Sequence, residues 1–349
     1  MIRALLLCCS LAVAGPLCAQ TQVDSAYEQA YDRITDMLEG RATPSFKQAV
    51  FEVENAYFLG ALDPVAFNVQ IHRLASIAEA WAQSNKLDNY HAKDSVTFLR
   101  NGAVFHLMTD TIFIAPGIPI NLPYRYDTVD FFAWHDWTKM FVSKLLVTHS
   151  GNCHSMPLFY KILCEELGSA AYLAMAPGHM YLKQYSEKIG WYNTELTSAC
   201  FPSDAWIMAS GYVNTDAIRS GLYMDTLGVR ESLALFLVDL AQGYQGRAEP
   251  MDDAFVLRCC NTALTHYPAC AQALLLKAAV LGDREPVTAS SAMQPVTNPE
   301  LESTLATLVN LGYHEIPLEV YLQWMSELAR DPMKYANPLI TPTNRPTTP

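Results

Sequence analysis

The segment between residues 151 and 196 changes from a helical to an extended hydrophobic pattern, and no other feature constrains the fold more. Residues 153–167 are predicted to form a helix, with Ser155 and Pro157 in its first turn and Gly168 at its end. Three β-rich runs follow, the last two separated by a hairpin-length connection. They are residues 170–176, 179–185 and 191–196. We therefore expect one helix packed on an antiparallel sheet at the centre of the chain.

Both flanks of this segment are mainly helical in pattern. Residues 24–85 repeat apolar side chains at three- and four-residue steps, and the chain from residue 231 onward does the same. Part of the second stretch resembles the paired helices of a tetratricopeptide repeat. Short apolar runs at 103–108, 111–114 and 221–224 predict additional strands. Together these patterns predict an α+β fold.

The patterns divide the 349-residue chain into five regions. These are a signal peptide (1–19), an N-terminal helical and mixed region (20–130), a core (131–228), C-terminal tetratricopeptide-like helices (229–336) and a disordered tail (337–349). Hydrophobic residues make up 51% of the chain and charged residues 17%, which is typical of a globular protein. The net charge of −12 and the lack of a basic stripe argue against a nucleic-acid partner.

The first residues have the pattern of an export signal. Arg3 precedes an apolar run at 4–13, and cleavage near Ala19 would leave Gln20 as the first mature residue. The run is shorter than the roughly 20 residues that a membrane-spanning helix needs. We therefore expect a periplasmic or secreted protein without stable membrane insertion.

Six cysteines follow the predicted cleavage site, and in an oxidising compartment some of them could pair. They are Cys153, Cys164, Cys200, Cys259, Cys260 and Cys270. The sequence contains no Cys-x-x-Cys pair and no His-x-x-x-His pair. Neither a metal site nor a cofactor is therefore predicted.

Residues of the central segment fit a thiol nucleophile and its proton partners. Cys153 begins the predicted helix, where the positive end of the helix dipole lowers the pKa of a thiol, and its backbone N–H could stabilise an oxyanion. His179 opens a predicted strand and could accept the thiol proton. On the last strand, Asn193 and Glu195 share a face by the two-residue period. Either side chain could therefore orient the imidazole as the third member of a triad.

These motifs resemble the core of the transglutaminase-like superfamily over about residues 130–215. Gly151-Asn152-Cys153 matches the Gly-x-Cys helix of the family, and Gly178-His179 matches its Gly-His strand. Residues 190–197 read Gly-Trp-(x)3-Glu-Leu-Thr, where the family has Gly-Trp-(x)3-Asp-Pro-Thr. Bacterial members with C-terminal tetratricopeptide-like helices are similar to the whole chain in architecture.

The resemblance implies a papain-like α+β fold with acyl-transfer or amide-hydrolysis chemistry. By position it implies Cys153 as the nucleophile and His179 as the base. Glu195 stands where the family usually has aspartate and is one methylene longer, so Asn193 is the alternative third member.

Two functional hypotheses follow from these residues. The first is an enzyme that transfers acyl groups or hydrolyses peptide or isopeptide amides. The second is a non-catalytic scaffold that binds a peptide or protein on the same core. His154 is expected to point about 100° away from Cys153 on the helix. The aromatic and polar residues 134–137 are expected to begin a core helix or to line a substrate groove.

Overall fold

The computed structural model describes residues 14–88, 90–282 and 298–330, and within these ranges the chain has a mixed α+β fold. Most of the described residues are helical. The helices are α1 (Ala14–Leu38), α2 (Phe46–Tyr57), α3 (Pro64–Ser84), α4 (Ser95–Thr109), α5 (Val142–Thr148), α6 (Ser155–Glu166), α7 (Asp204–Ser210), α8 (Thr215–Arg219), α9 (Val229–Gln245), α10 (Asp253–His266), α11 (Ala271–Leu281), α12 (Pro299–Asn310) and α13 (Leu318–Arg330), with a 3₁₀ helix at Trp137–Met140. The strands are β1 (Ile112–Ala115), β2 (Ile118–Asn121), β3 (Arg125–Tyr126), β4 (Ser150–Gly151), β5 (Tyr172–Ala176), β6 (His179–Ser186) and β7 (Gly190–Thr194).

The helices predicted within residues 24–85 are confirmed as α1, α2 and α3. Ser45 and Asp63 precede α2 and α3, and their side-chain oxygens accept hydrogen bonds from backbone N–H groups of the first turn. Ile34 and Ile71, on α1 and α3, are completely buried in the main hydrophobic core. The N-terminal region therefore contributes a helical layer to that core.

The strand predicted at residues 103–108 is wrong, because these residues form the C-terminal half of α4. Four of them are fully buried: Ala103, Val104, Leu107 and Met108. A short run that is apolar on every side fits a buried helix as well as a buried strand, so periodicity alone cannot separate the two. The strand predicted at 111–114 is confirmed as β1, which pairs antiparallel with β2.

The three β-rich runs of the central segment form one antiparallel sheet in the order β5-β6-β7, as predicted. Pro177 and Gly178 form the turn between β5 and β6, which places Ala176 opposite His179. Gly178 has a φ of +64°, a conformation that residues with a side chain adopt only at a cost. The turn therefore holds His179 at the first position of β6.

The predicted central helix is confirmed as α6, which packs against β5 and β6. The chain enters it through β4, which runs parallel to β3 with Gly151 opposite Tyr126. A Cβ atom at Gly151 would lie 2.6 Å from Ser155 Oγ and 2.8 Å from Leu145 Cδ1, so any side chain there would force these two side chains to move. This tight entry brings Cys153 to the edge of the sheet that carries His179.

The strand predicted at residues 221–224 is also wrong. Gly221 and Met224 both have a positive φ, of 75° and 65°, which an extended strand does not allow. The segment still binds the sheet, because the Met224 N–H donates to the carbonyl of Met175 at 2.8 Å. Backbone donors of a turn therefore cover the free edge of β5.

Helices from both ends of the chain share one core. The helices predicted after residue 231 are present as α9 to α13, and α9 packs against α1, α2 and α10. Phe236 on α9 meets Phe46 on α2 with ring centroids 5.0 Å apart, in an edge-to-face arrangement.

Two predicted regions fall outside the described residues. These are residues 1–13 of the predicted signal peptide, and the predicted tail at 337–349. Within the described ranges, no helix combines the length and the apolar composition needed to cross a bilayer.

Candidate active site

Cys153 lies in the turn that leads into α6, and its side chain is half-buried. The fully buried side chain of Asn152 holds this turn. Its Oδ1 accepts hydrogen bonds from the backbone N–H groups of His154 and Ser155, at 3.0 and 3.1 Å. Sequence reasoning missed this role, although asparagine near the start of a helix is a recognised capping signal. The cap leaves the Cys153 thiol at the positive end of the α6 dipole.

His179 and Glu195 form a buried pair next to this thiol. His179 Nε2 lies 2.5 Å from Glu195 Oε2, and each side chain is less than 5% exposed. The other carboxylate oxygen, Oε1, accepts hydrogen bonds from the backbone N–H and the hydroxyl of Thr197, at 2.9 and 2.8 Å. Since Nε2 is bound to the carboxylate, Nδ1 is the imidazole nitrogen left for the hydrogen bond with the Cys153 thiol. The three predicted side chains thus form one chain of contacts, with Glu195 in the third position.

The charges in this group favour a thiolate. Burial alone would raise the pKa of Cys153, but the hydrogen bond and positive charge of His179 outweigh it and hold that pKa below its ordinary value. Burial favours neutral His179, whereas the Glu195 carboxylate favours the imidazolium and raises the pKa of the ring. Burial of Glu195 is likewise outweighed by His179, so the pKa of this carboxyl is lowered. The geometry therefore supports a thiolate–imidazolium pair backed by a carboxylate.

Asn193, the alternative third member, is occupied elsewhere. Its side chain is buried, and Nδ2 donates to the carbonyl of Pro202 at 2.9 Å and to Asp204 Oδ1 at 2.8 Å. These contacts tie β7 to the start of α7. The amide is therefore committed to the loop after β7, whereas Glu195 contacts His179 directly.

His154 forms a second buried pair, with Asp239 on α9. Its Nε2 lies 3.0 Å from Asp239 Oδ2, and its Nδ1 lies 3.0 Å from the carbonyl oxygen of Met140. Both partners are acceptors, so the ring donates at both nitrogens and is the charged imidazolium. Burial opposes that charge, but Asp239 overcomes it and raises the pKa of His154 to about 9. The ring is turned toward α9, and both of its nitrogens are already bound.

Two tyrosines cover the thiol. Tyr126 on β3 is half-buried, and Tyr321 on α13 is 5% exposed. The Tyr321 side chain hydrogen-bonds with the Cys153 thiol, and Tyr126 lies beside both groups. Burial raises the pKa of both phenols, so both are neutral hydrogen-bonding groups at physiological pH. Sequence reasoning identified neither residue, because each is a lone tyrosine in an ordinary strand or helix pattern.

The helix predicted to begin at residues 134–137 begins later. Asp136 caps a 3₁₀ helix at Trp137–Met140, and α5 follows from Val142. Trp134 is 72% exposed and stacks on Phe132, with ring centroids 4.7 Å apart. Part of this aromatic cluster therefore lies at the surface, close to the covered thiol.

The six cysteines at 153 and beyond are free thiols in the described part of the chain. Among the same residues, no group of three His, Cys, Asp or Glu side chains is arranged to hold a metal ion. The candidate site thus consists of Cys153, His179 and Glu195, under the cover of two tyrosines. Comparisons with models of protein families, with curated proteins and with solved structures found no match for this chain.

Proposed function

We propose that this chain is an exported, cysteine-dependent enzyme that transfers acyl groups or hydrolyses peptide or isopeptide amides. The single observation that carries the proposal is the contact chain from Cys153 through His179 to Glu195. A thiol reacts with acyl carbon only as thiolate, and these contacts favour the thiolate. Papain-like transglutaminase architecture, with α6 against the β5-β6-β7 sheet, is part of the same proposal.

The chemistry follows from the positions of the three side chains. The Cys153 thiolate attacks the amide carbonyl carbon, and the carbonyl electron pair moves onto oxygen, where the Cys153 backbone N–H is the proposed donor. The C–N bond then breaks, and the leaving amine takes the proton from the His179 imidazolium. Water or an acceptor amine attacks the resulting thioester and gives its proton to His179, and the thiolate is released. Glu195 keeps the imidazole oriented and stabilises its charge through both halves of the reaction.

The proposal is tested by the pH dependence of iodoacetamide alkylation at each cysteine, read by mass spectrometry of the intact folded protein and its peptides. Cys153 should reach half-maximal reactivity at a lower pH than an unperturbed cysteine does, since its pKa lies below the ordinary value. Cys164 and Cys200 serve as internal controls, because burial raises the pKa of each to about 12.

His179→Ala is the matched variant, and it should move the Cys153 profile to higher pH. A wild-type profile that rises only at the pH of an unperturbed thiol, and that is unchanged in the variant, would overturn the enzyme proposal.

The second candidate is a scaffold that binds a peptide or protein on the same core without catalysis. The observation that favours it is the cover over the thiol, because the buried Tyr321 side chain occupies the approach to Cys153. A binding role needs no reactive thiol, so Cys153→Ser would leave partner binding unchanged but would abolish acyl transfer.

A further inference from the structure

The ring of Tyr321 lies in an aromatic slot beside Cys153. Its centroid is 5.3 Å from that of Phe132 and 6.3 Å from that of Phe131, with interplanar angles of 31° and 22°. The two phenylalanine rings lie 4.4 Å apart and form one wall of the slot. The slot is thus shaped for a flat apolar ring.

The opposite wall is the turn that carries His179. An ideal Cβ atom at Gly178 would lie 3.5 Å from Tyr321 Cε2, in ordinary van der Waals contact. The ring of Tyr321 therefore lies close to the backbone of the turn. Because His179 follows Gly178, anything held in the slot lies next to the reacting groups.

Helix α13 contacts this slot through Tyr321. Among the side chains of α13 that the structure describes, Tyr321 alone is buried, and its neighbours Leu318 and Leu322 are exposed. The one buried ring hydrogen-bonds with the Cys153 thiol. That ring must therefore move aside before a substrate can reach the thiol.

We propose that this slot binds an aromatic side chain of a peptide acyl donor, and that Tyr321 occupies it until a substrate ring takes its place. The proposal rests on the proposed function, since it names the substrate class of the same site. An aromatic residue near the scissile amide would make the contacts that Tyr321 now makes with Phe131, Phe132 and Gly178. Its binding would displace α13 and uncover the thiolate in the same step.

The test uses two alkylating probes that differ only in one side chain, acetyl-phenylalanine chloromethyl ketone and acetyl-alanine chloromethyl ketone. Tyr321→Ala should raise the rate of Cys153 alkylation by the phenylalanine probe at least tenfold over wild type. In this variant the phenylalanine probe should react at least tenfold faster than the alanine probe. Adding Phe132→Ala should remove that preference.

Matched variants separate the ring from its surroundings. Leu322→Ala, on the same helix but with an exposed side chain, should react within twofold of wild type. Tyr321→Phe removes the hydroxyl but keeps the ring in the slot, so alkylation by the phenylalanine probe should be slower than in Tyr321→Ala. Tyr321→Leu also removes the aromatic ring but keeps an apolar side chain in the core, so it repeats the Tyr321→Ala test with a second substitution.

Equal rates in wild type and in both the alanine and leucine variants would overturn occupancy by Tyr321. Equal rates for the two probes in those variants would overturn the aromatic slot. Iodoacetamide labelling of Tyr321→Ala with and without His179→Ala keeps the proposed function separate. If His179→Ala does not change the labelling rate in this variant, the proposal of an activated thiol is wrong. The ratio of the rates of the two chloromethyl ketone probes still tests the aromatic slot.

Discussion

Two buried histidine–carboxylate pairs lie within electrostatic reach of Cys153, and they differ in what the second imidazole nitrogen does. In the pair of His179 and Glu195, Nε2 binds the carboxylate and the ring also hydrogen-bonds with the thiol. In the pair of His154 and Asp239, the other nitrogen is bound to the carbonyl of Met140. Only the first ring can exchange a proton with a reacting group. The second is a structural tie between the turn before α6 and helix α9.

The comparison teaches that burial, a carboxylate partner and proximity to a cysteine do not by themselves make a catalytic histidine. Both rings are buried and both have a raised pKa. His154 is even adjacent to Cys153 in the chain. The partner of the second ring nitrogen, a thiol for His179 and a backbone carbonyl for His154, decides between the two roles.

The largest expected effect is the loss of thiol reactivity in His179→Ala. Without the imidazolium, burial dominates and the pKa of Cys153 rises, so alkylation by iodoacetamide at pH 7 should fall at least ~100-fold. His154→Ala is the control and should change the rate by less than about fivefold, because its charge contributes much less to the thiol. Equal losses in the two variants would erase the distinction between the pairs.

The second effect is on stability, to which His154 should contribute although it has little effect on the alkylation of Cys153. His154→Gln leaves Asp239 buried without a charged partner and should lower the free energy of unfolding by about 3 kcal/mol in urea titrations. The matched control is His106→Gln, since His106 forms a pair with Asp110 that is more exposed, and here we expect less than about 1 kcal/mol.

The stabilising contribution of His154 has a defined pH dependence. The pKa of the folded-state ring, about 9, lies above that of an ordinary histidine. The contribution is therefore complete below about pH 6.5 and is lost as pH rises through about 9. Glu54 titrates in an overlapping range, because burial raises its pKa to about 7. The quantity to measure is therefore the difference between wild type and His154→Gln at each pH, and a difference that does not vary with pH would contradict the ion pair.

A smaller effect is expected from Glu195→Gln, which keeps a hydrogen-bonding side chain of the same length but removes its charge. The pKa of His179 should fall, and alkylation of Cys153 at pH 7 should slow about tenfold. Glu195→Asp shortens the side chain by one methylene. It tests whether aspartate, the usual residue in the family that these motifs resemble, fits this site. A rate for Glu195→Gln equal to that of wild type would remove Glu195 from the triad.

The smallest effect is expected from Asn193→Ala. Its amide donates hydrogen bonds to the Pro202 carbonyl and to Asp204, and not to the triad. The alkylation rate of Cys153 should therefore stay within about twofold of wild type. Loss of these hydrogen bonds should lower the free energy of unfolding by about 1 kcal/mol, measured by urea titration. A rate that falls as far as in Glu195→Gln would make Asn193 the third member instead.

Most of the helices, and the hairpins of the central sheet, could be predicted because their signals are local. The Pro177-Gly178 turn between two β-rich runs fixes the register that places His179 opposite Ala176. The errors occurred where local signals are ambiguous. Four of the six residues at 103–108 are fully buried in a helix, and the run at 221–224 contains residues whose positive φ no hydrophobic pattern reveals.

The sequence by itself determined the order of the thiol, imidazole and carboxyl groups and the turns that bring each to the end of an element. It could do so because capping, glycine conformations and strand alternation act over a few residues. The tertiary structure alone decided which side chain takes the third position, what His154 binds, and what covers the site. Asp239 lies 85 residues from the His154 that it binds, and Tyr321 reaches Cys153 from the last described helix. Such contacts depend on how distant helices pack, and a sequence pattern read over a few residues carries no record of that packing.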